Sequence, residues 1–224
     1  MILGIFSAVL FVLVSAVFVT RRLPAGSPVK KAAHQIHKPL GYALVVLVAL
    51  HLALTLKLFH QRPLTVYLLG FGMLACALVC CLSNTLFKKA RSSLLMHRIA
   101  ALCMALMLAA HVVFCITSFS EYKREVAAIS ISKTDISALA DGTYEGDCDV
   151  GYIYAKVRVA VNDGEIASID LLEHRNERGA AGEGVQERIV KEQTVCVDAV
   201  SGATNSSRVI EKAVENALQS QPLS

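Results

Sequence analysis

Several things are missing from this 224-residue chain. It has no Ser/His/Asp arrangement, no cluster of ligands for a hydrolytic metal and no nucleotide-binding glycine loop, which excludes independent hydrolysis and NADH oxidation as expected activities. No polybasic run with interleaved aromatics occurs, so the net charge of +4 gives no nucleic-acid surface. Charge is also scarce over the first 120 positions, where the apolar residues that make up 54% of the chain are concentrated. That asymmetry means two domains of different kinds.

Four runs are long enough for membrane helices, which need about 20 mostly apolar residues to cross a core about 30 Å thick. They are Ile2 to Thr20, Leu40 to Phe59, Leu64 to Leu82 and Leu95 to Phe119. The first lacks basic residues ahead of it and has Arg21 and Arg22 behind it, so it reads as a retained helix and not a cleaved signal. Lysine and arginine gather in two loops: Arg21, Arg22, Lys30, Lys31 and Lys38 after the first run, and Lys88, Lys89 and Arg91 after the third. The loop at His60-Gln61-Arg62-Pro63 is poorer in charge, although Lys57 precedes it. The positive-inside rule then places the two basic loops in the cytoplasm and both termini outside a cell inner or plasma membrane.

Six of the seven histidines fall between positions 34 and 111, where ionisable groups are costly and mark functional paths. His37 and His51 lie 14 residues apart on the second helix, and His97 and His111 lie 14 apart on the fourth. Fourteen steps return to within about 40° of the same face and advance about 21 Å. With both helices running outward, His37 matches His97 near the cytoplasmic boundary and His51 matches His111 in the outer half. Two such pairs suit the axial ligands of two b haems in a bundle core. Gly41, Ala100 and Ala101 put small residues one turn after the inner histidines. His34, ahead of the span, and His60, off the stripe, read as interfacial groups. A zinc or copper site would gather its ligands at one depth, and these are spread over two. Over residues 34 to 119 the spacing resembles diheme cytochrome b and ferric-reductase-like membrane domains.

Cys76, Cys80, Cys81, Cys103 and Cys115 lie within membrane runs and read as small buried apolar residues. Cys148 and Cys196 lie in the outer domain, where an oxidising compartment permits a disulfide; the sequence leaves their pairing open.

After Phe119 the composition turns polar. Glu121 to Leu139 reads as a helical continuation or linker. Val157, Val159 and Val161 alternate with Lys156, Arg158 and Ala160, Asn162-Asp163-Gly164 supplies a tight hairpin turn, and Ile166, Ile169 and Leu171 continue beyond it. Val185 to Glu192 and Ser207 to Leu218 have helical apolar spacing. Between these helices, Asp198-Ala199-Val200-Ser201-Gly202-Ala203-Thr204 is a hydroxyl-rich glycine turn opening onto a helix, an ordinary anion-site arrangement and a common one. Ser206 or Ser207 is expected to cap that helix.

Asp141 to Leu218 resembles the FMN-binding domain family of the flavin subunits of sodium-translocating NADH:quinone reductases and membrane ferredoxin:NAD oxidoreductases. The resemblance rests on the opening Asp141-Gly142-Thr143-Tyr144-Glu145-Gly146, the hairpin, Glu187-Arg188-Ile189-Val190 and the DAVSGAT core. It implies an FMN ester-linked through its phosphate to Thr204 by a dedicated flavin transferase outside the cytoplasm, with Asp198, Ser201, Gly202 and Ala203 forming the surrounding motif. Glu177-Arg178-Gly179-Ala180-Ala181-Gly182 lacks the Thr-Pro-Gly often found there in the family, so the ring contacts stay unassigned. His174 is either near the flavin or a surface residue at a strand end.

The expected architecture is a membrane all-α four-helix bundle (1–119), a linker (120–139) and a small extracytoplasmic α+β FMN-binding domain (140–224). The expected function is electron transfer by a transmembrane flavocytochrome, from a quinol or a cytoplasmic reductase through two haems to the FMN and an extracytoplasmic acceptor. The rivals are a haem-free FMN carrier subunit of a larger redox complex, and a membrane sensor or assembly module binding its ligand non-covalently.

Overall fold

The computed structural model describes residues 2–86, 92–176 and 179–223. The basic residues Lys88, Lys89 and Arg91, the loop residues Glu177 and Arg178, and the side chain of His60 lie outside the described residues. The chain forms two compact units. One runs to Phe59 and from Pro63 to Ile116; the other begins at Thr117 and takes in His60–Arg62.

The first unit is helical: α1 (Ile2–Thr20), α2 (Pro28–Thr55), α3 (Leu64–Leu86) and the start of α4 (Ser93–Ala128). Each is long and apolar enough to cross a membrane. Large apolar side chains such as Phe6, Val46, Leu68 and Leu106 point outward and are exposed, the inverse of a water-soluble bundle. A small internal cluster of Leu44, Ala77 and Met104 draws in Leu10, Phe11, Val45, Val48, Met73 and Cys76, so all four helices contribute.

Helix α2 starts earlier than the apolar run suggests. Pro28 stands in its first turn, where its missing N–H and fixed φ suit a helix start, and the helix continues through Pro39. An internal proline removes one backbone bond, a loss that membrane helices tolerate among neighbours. His34 therefore lies on the helix and not ahead of it. Helix α4 likewise runs past Phe119 to Ala128, so the first half of the expected linker is α-helical, and the rest is irregular apart from a short 3-10 turn at Ile136–Ala138.

The second unit is built on an antiparallel sheet, β1 (Gly142–Asp149), β2 (Tyr154–Asn162) and β3 (Glu165–Arg175), in that spatial order. Asp163 and Gly164 both take positive φ, 52° and 74°, as a two-residue hairpin requires, and Asp141 accepts the Asp163 N–H at 2.8 Å. Alternation along β2 buries Ala155, Val157, Val159 and Val161. Helices α5 (Val185–Glu192) and α6 (Thr204–Leu218) complete the core with Val185, Ile189, Val209, Ile210, Ala213, Val214 and Ala217. Gln193 ends α5 in a left-handed turn and its amide both donates to and accepts from the backbone of Ile166 on β3, at 3.0 and 2.7 Å.

The segment after α4 is fastened to α6 by a row of side chains. Arg208 donates to the Ile129 carbonyl at 2.7 Å and Lys212 to that of Ser130 at 3.1 Å, while Glu215 accepts the Ser132 N–H at 2.9 Å. Glu215 is buried, which by itself would raise its pKa, but the bonds from Lys212 and Ser132 outweigh burial and hold it below the ordinary value. Cys148 and Cys196 are both free thiols and form no disulfide. Cys148 packs partly buried on the core, where burial pushes its thiol up to about 11, and Cys196 is exposed, its thiol 3.9 Å from the Ile131 carbonyl.

Helix α6 touches β1 backbone to backbone at Gly146. A Cβ there would collide with the Ala217 nitrogen and fall 2.6 Å from both the Ala213 carbonyl oxygen and the Ala217 Cα. Because the obstacles are main-chain atoms, Gly146→Ala should destabilise the second unit by about 2 kcal/mol or more, at the upper end of core overpacking. Thermal unfolding of the detergent-solubilised chain reads this, and an unchanged transition would refute the close approach.

Candidate cofactor sites

The stretch leading to Thr204 is held by main-chain contacts. Arg188 of α5 donates to the Asp198 carbonyl at 2.7 Å, and the Val200 N–H donates to the Ser207 hydroxyl at 3.0 Å. The Ala203 N–H closes a turn onto the Val200 carbonyl at 3.0 Å, with Gly202 at φ 79°, a conformation other residues adopt only with strain. Helix α6 then begins at Thr204 itself. Ser206 and Ser207 thus lie inside its first turn, and no side chain caps this end. The expected capping role is corrected: the helix starts earlier, so the Ser207 hydroxyl ties the preceding loop down instead, also donating to the Ala203 carbonyl at 3.2 Å.

Thr204 is exposed, and its neighbours Gly202 and Ala203 share with it the lining of a cleft of about 390 Å³. Asp198 and Ser201 stand outside that lining. Asn205 and Ser206 complete the helix side. The Ser206 hydroxyl is buried with no hydrogen-bond partner among the described residues, an orphaned polar atom on the cleft wall. Opposite it stands Gly179, where a Cβ would collide with the Ser206 hydroxyl, and a Cβ on Gly182 would fall 2.7 Å from the Ser206 Cβ. The two glycines of the unusual 177–182 loop therefore let the first turn of α6 sit close beneath the cleft.

The rest of the cleft is aromatic, and sequence reasoning missed it. Phe119, Tyr122 and Tyr152 line it together, with ring centroids 5.9 Å apart for Phe119 and Tyr122, 5.1 Å for Tyr122 and Tyr152, and 6.1 Å for Phe119 and Tyr152. Asn205 donates its amide to the Tyr122 hydroxyl at 2.8 Å. The available signals were the i,i+3 spacing of Phe119 and Tyr122 in a polar helix end, and a tyrosine in the tight turn after β1. His174 is neither in this lining nor at the surface. Its side chain is 3% exposed and its Nδ1 lies 2.8 Å from Glu183 Oε1, while the Nε2 is buried without a partner among the described residues.

In the helical unit the structure brings His37 and His97 together, their ring centroids 5.9 Å apart and their planes at 67°. His37 Nδ1 is 3.0 Å from the Val14 carbonyl of α1, and His97 Nδ1 is 3.1 Å from the Cys80 carbonyl of α3. A carbonyl can only accept, so in both contacts Nδ1 is the donor. His51 and His111 are half-buried. The ring of His51 lies against α1 at Gly4, where a Cβ would fall 3.1 Å from its Cε1. Leu44 and Met104, seven residues from either histidine of their own helices, meet in one cluster. No group of three or more His, Cys, Asp or Glu suited to a metal occurs among the described residues.

Residues 151–219 match the family model of the FMN-binding domain. No curated protein and no solved structure matches the chain. The second unit therefore carries an FMN-binding domain, which ties the chain to flavin-based electron transfer.

Two turns beyond Thr204, Glu211 is 4% exposed and its Oε1 has no partner among the described residues. Burial pushes its carboxyl up to about 7, with Arg208 opposing the shift and Asp198 adding to it. The ordinary value is 4.5, so between the two the folded chain holds a proton that the unfolded chain has released, and stability falls as pH rises through that window. Glu211→Gln should raise the melting temperature clearly at about pH 8 and little at about pH 5. A difference that does not change with pH would count against the buried acid.

Proposed function

We propose that the chain is a transmembrane flavocytochrome, in which electrons pass between two b haems in the helical unit and an FMN ester-linked to Thr204 on the extracytoplasmic side. The observation that carries the reading is the position of Thr204. It is an exposed residue at the start of an uncapped helix, it lines a cleft, and it falls within the stretch that matches the FMN-binding domain. The first-turn N–H groups and the helix dipole favour the negative charge of a phosphate esterified there. The orphaned Ser206 hydroxyl and the side-chain-free wall at Gly179 fit a bound ligand in the same cleft.

His37 and His97 fit the inner pair of axial ligands. Their Nδ1 atoms bond to backbone carbonyls, which would leave Nε2 of each ring to hold a haem iron, and the two rings lie together with centroids 5.9 Å apart. Nothing lies within 4 Å of a Cβ at Gly41, one turn beyond His37, which leaves space at the expected porphyrin edge. His51 and His111 serve as the outer pair by their matching station beyond Leu44 and Met104. Haems exchange one electron at a time and flavin one or two, so the cofactors supply the redox chemistry and the chain supplies placement. The donor would be a quinol or a cytoplasmic reductase, the acceptor an extracytoplasmic one, and a flavin transferase would load Thr204.

Two measurements test this. After coexpression with a flavin transferase, the intact mass of the wild-type chain should carry an FMN-sized increment that Thr204→Val abolishes; no increment in the wild type would refute the ester. Reduced-minus-oxidised spectra of the purified chain should show b-type α-band absorption, with His97→Ala losing about half of it if each haem needs both imidazoles of its pair. No α-band in the wild type would leave the haem-free carrier.

A further inference from the structure

The match to the FMN-binding domain begins at residue 151, so only one ring of the aromatic cluster, Tyr152, falls within it. Phe119 and Tyr122 come from the last turns of α4, the helix that also bears His97 and His111. Tyr122 and Tyr152 are each 9% exposed and close one end of the hydrophobic core, while Phe119 is 49% exposed. All three rings line the cleft that contains Thr204. Packing accounts for the two buried tyrosines as core residues, but not for the open cleft that all three rings line.

The hydrogen bond from Asn205 to the Tyr122 hydroxyl fixes that ring relative to the residue following Thr204. A flat, electron-poor ring system tethered at Thr204 by a flexible polyol chain thus has aromatic rings in the same cleft, the Arg62 guanidinium lying over that of Tyr152 at 5.1 Å from its centroid, and offset stacking on such rings is favourable. The cleft is within the size range of small-ligand sites.

We propose that the end of α4 is part of the flavin site: Tyr122 and Tyr152 form the stacking surface for the isoalloxazine, and Phe119 covers its outer edge. This rests on the assignment of FMN to Thr204. It extends the flavin site outside the region that the family match covers, onto the helix whose other end carries haem-ligand candidates.

The test uses the flavin-loaded full chain, with emission normalised to covalently bound flavin so that reduced loading cannot mimic the effect. Phenol rings in stacking contact quench flavin emission strongly. Tyr122→Leu should therefore brighten the bound flavin several-fold, whereas Tyr122→Trp, which loses the tyrosine hydroxyl bonded to Asn205 but keeps an electron-rich ring that also quenches, should brighten it far less. Equal emission from Tyr122→Leu and wild type would overturn the proposal, as would equal brightening by both variants. Should Tyr122→Leu fail to fold, the wild type still decides: unfolding it in denaturant should raise emission several-fold, and no rise would overturn the stacked ring. A wild-type chain without any FMN increment in its mass would instead mean that the assignment to Thr204 has failed.

Discussion

Main-chain contact between α6 and β1 at Gly146 sets the position of everything in the flavin-binding unit. A side chain there would push the helix off the sheet, and with it the first turn that presents Thr204. The same intimacy recurs at the opposite end of α6, where Gly179 and Gly182 face Ser206. A helix clamped by glycines at both ends has little freedom to slide. The position of Thr204 at the start of α6 therefore follows from how closely backbones can approach.

The polar row on α6 adds a second constraint. Arg208, Lys212 and Glu215 stand at i, i+4 and i+7, one face of a helix, and all three bind the backbone of residues 129 to 132. An extended segment has backbone groups that need partners, and these side chains satisfy several that no sheet supplies. The segment follows directly on α4, so the row also holds the chain that leads from Phe119 and Tyr122 into the sheet.

Much of this was legible in the sequence, for identifiable reasons. The hairpin at Asp163-Gly164, the alternation of β2 and the helix at Val185–Glu192 depend on local chemistry and emerged where the pattern put them. The apolar runs located all four long helices, because length and hydropathy suffice for that. Helix ends were harder. The apolar run of α2 begins only at Leu40, after the charged stretch that carries Lys30, Lys31 and Lys38, although the helix begins at Pro28, and Thr204 was hidden as a helix start because Ser206 and Ser207 resemble better caps. What no local pattern carries is proximity: the ring cluster joins positions 119, 122 and 152, and the partners of Gly146 lie some 70 residues away. Cys148 and Cys196 are a further case, since the sequence left their pairing open and in the structure both are free thiols.

The helical unit divides labour in a way that follows from the same backbone chemistry. Helices α2 and α4 carry the imidazoles, and α1 and α3 hold them, one through the Val14 carbonyl and the other through that of Cys80. An imidazole in an apolar bundle must place its N–H on some acceptor, and a helix carbonyl has a second lone pair to offer beside its own helical bond. Because the acceptor is main chain, the side chains at 14 and 80 are unconstrained by it, and nothing in the sequence of α1 marks it as a partner of His37. Each ring is tied through Nδ1 to a neighbouring helix, His37 to α1 and His97 to α3.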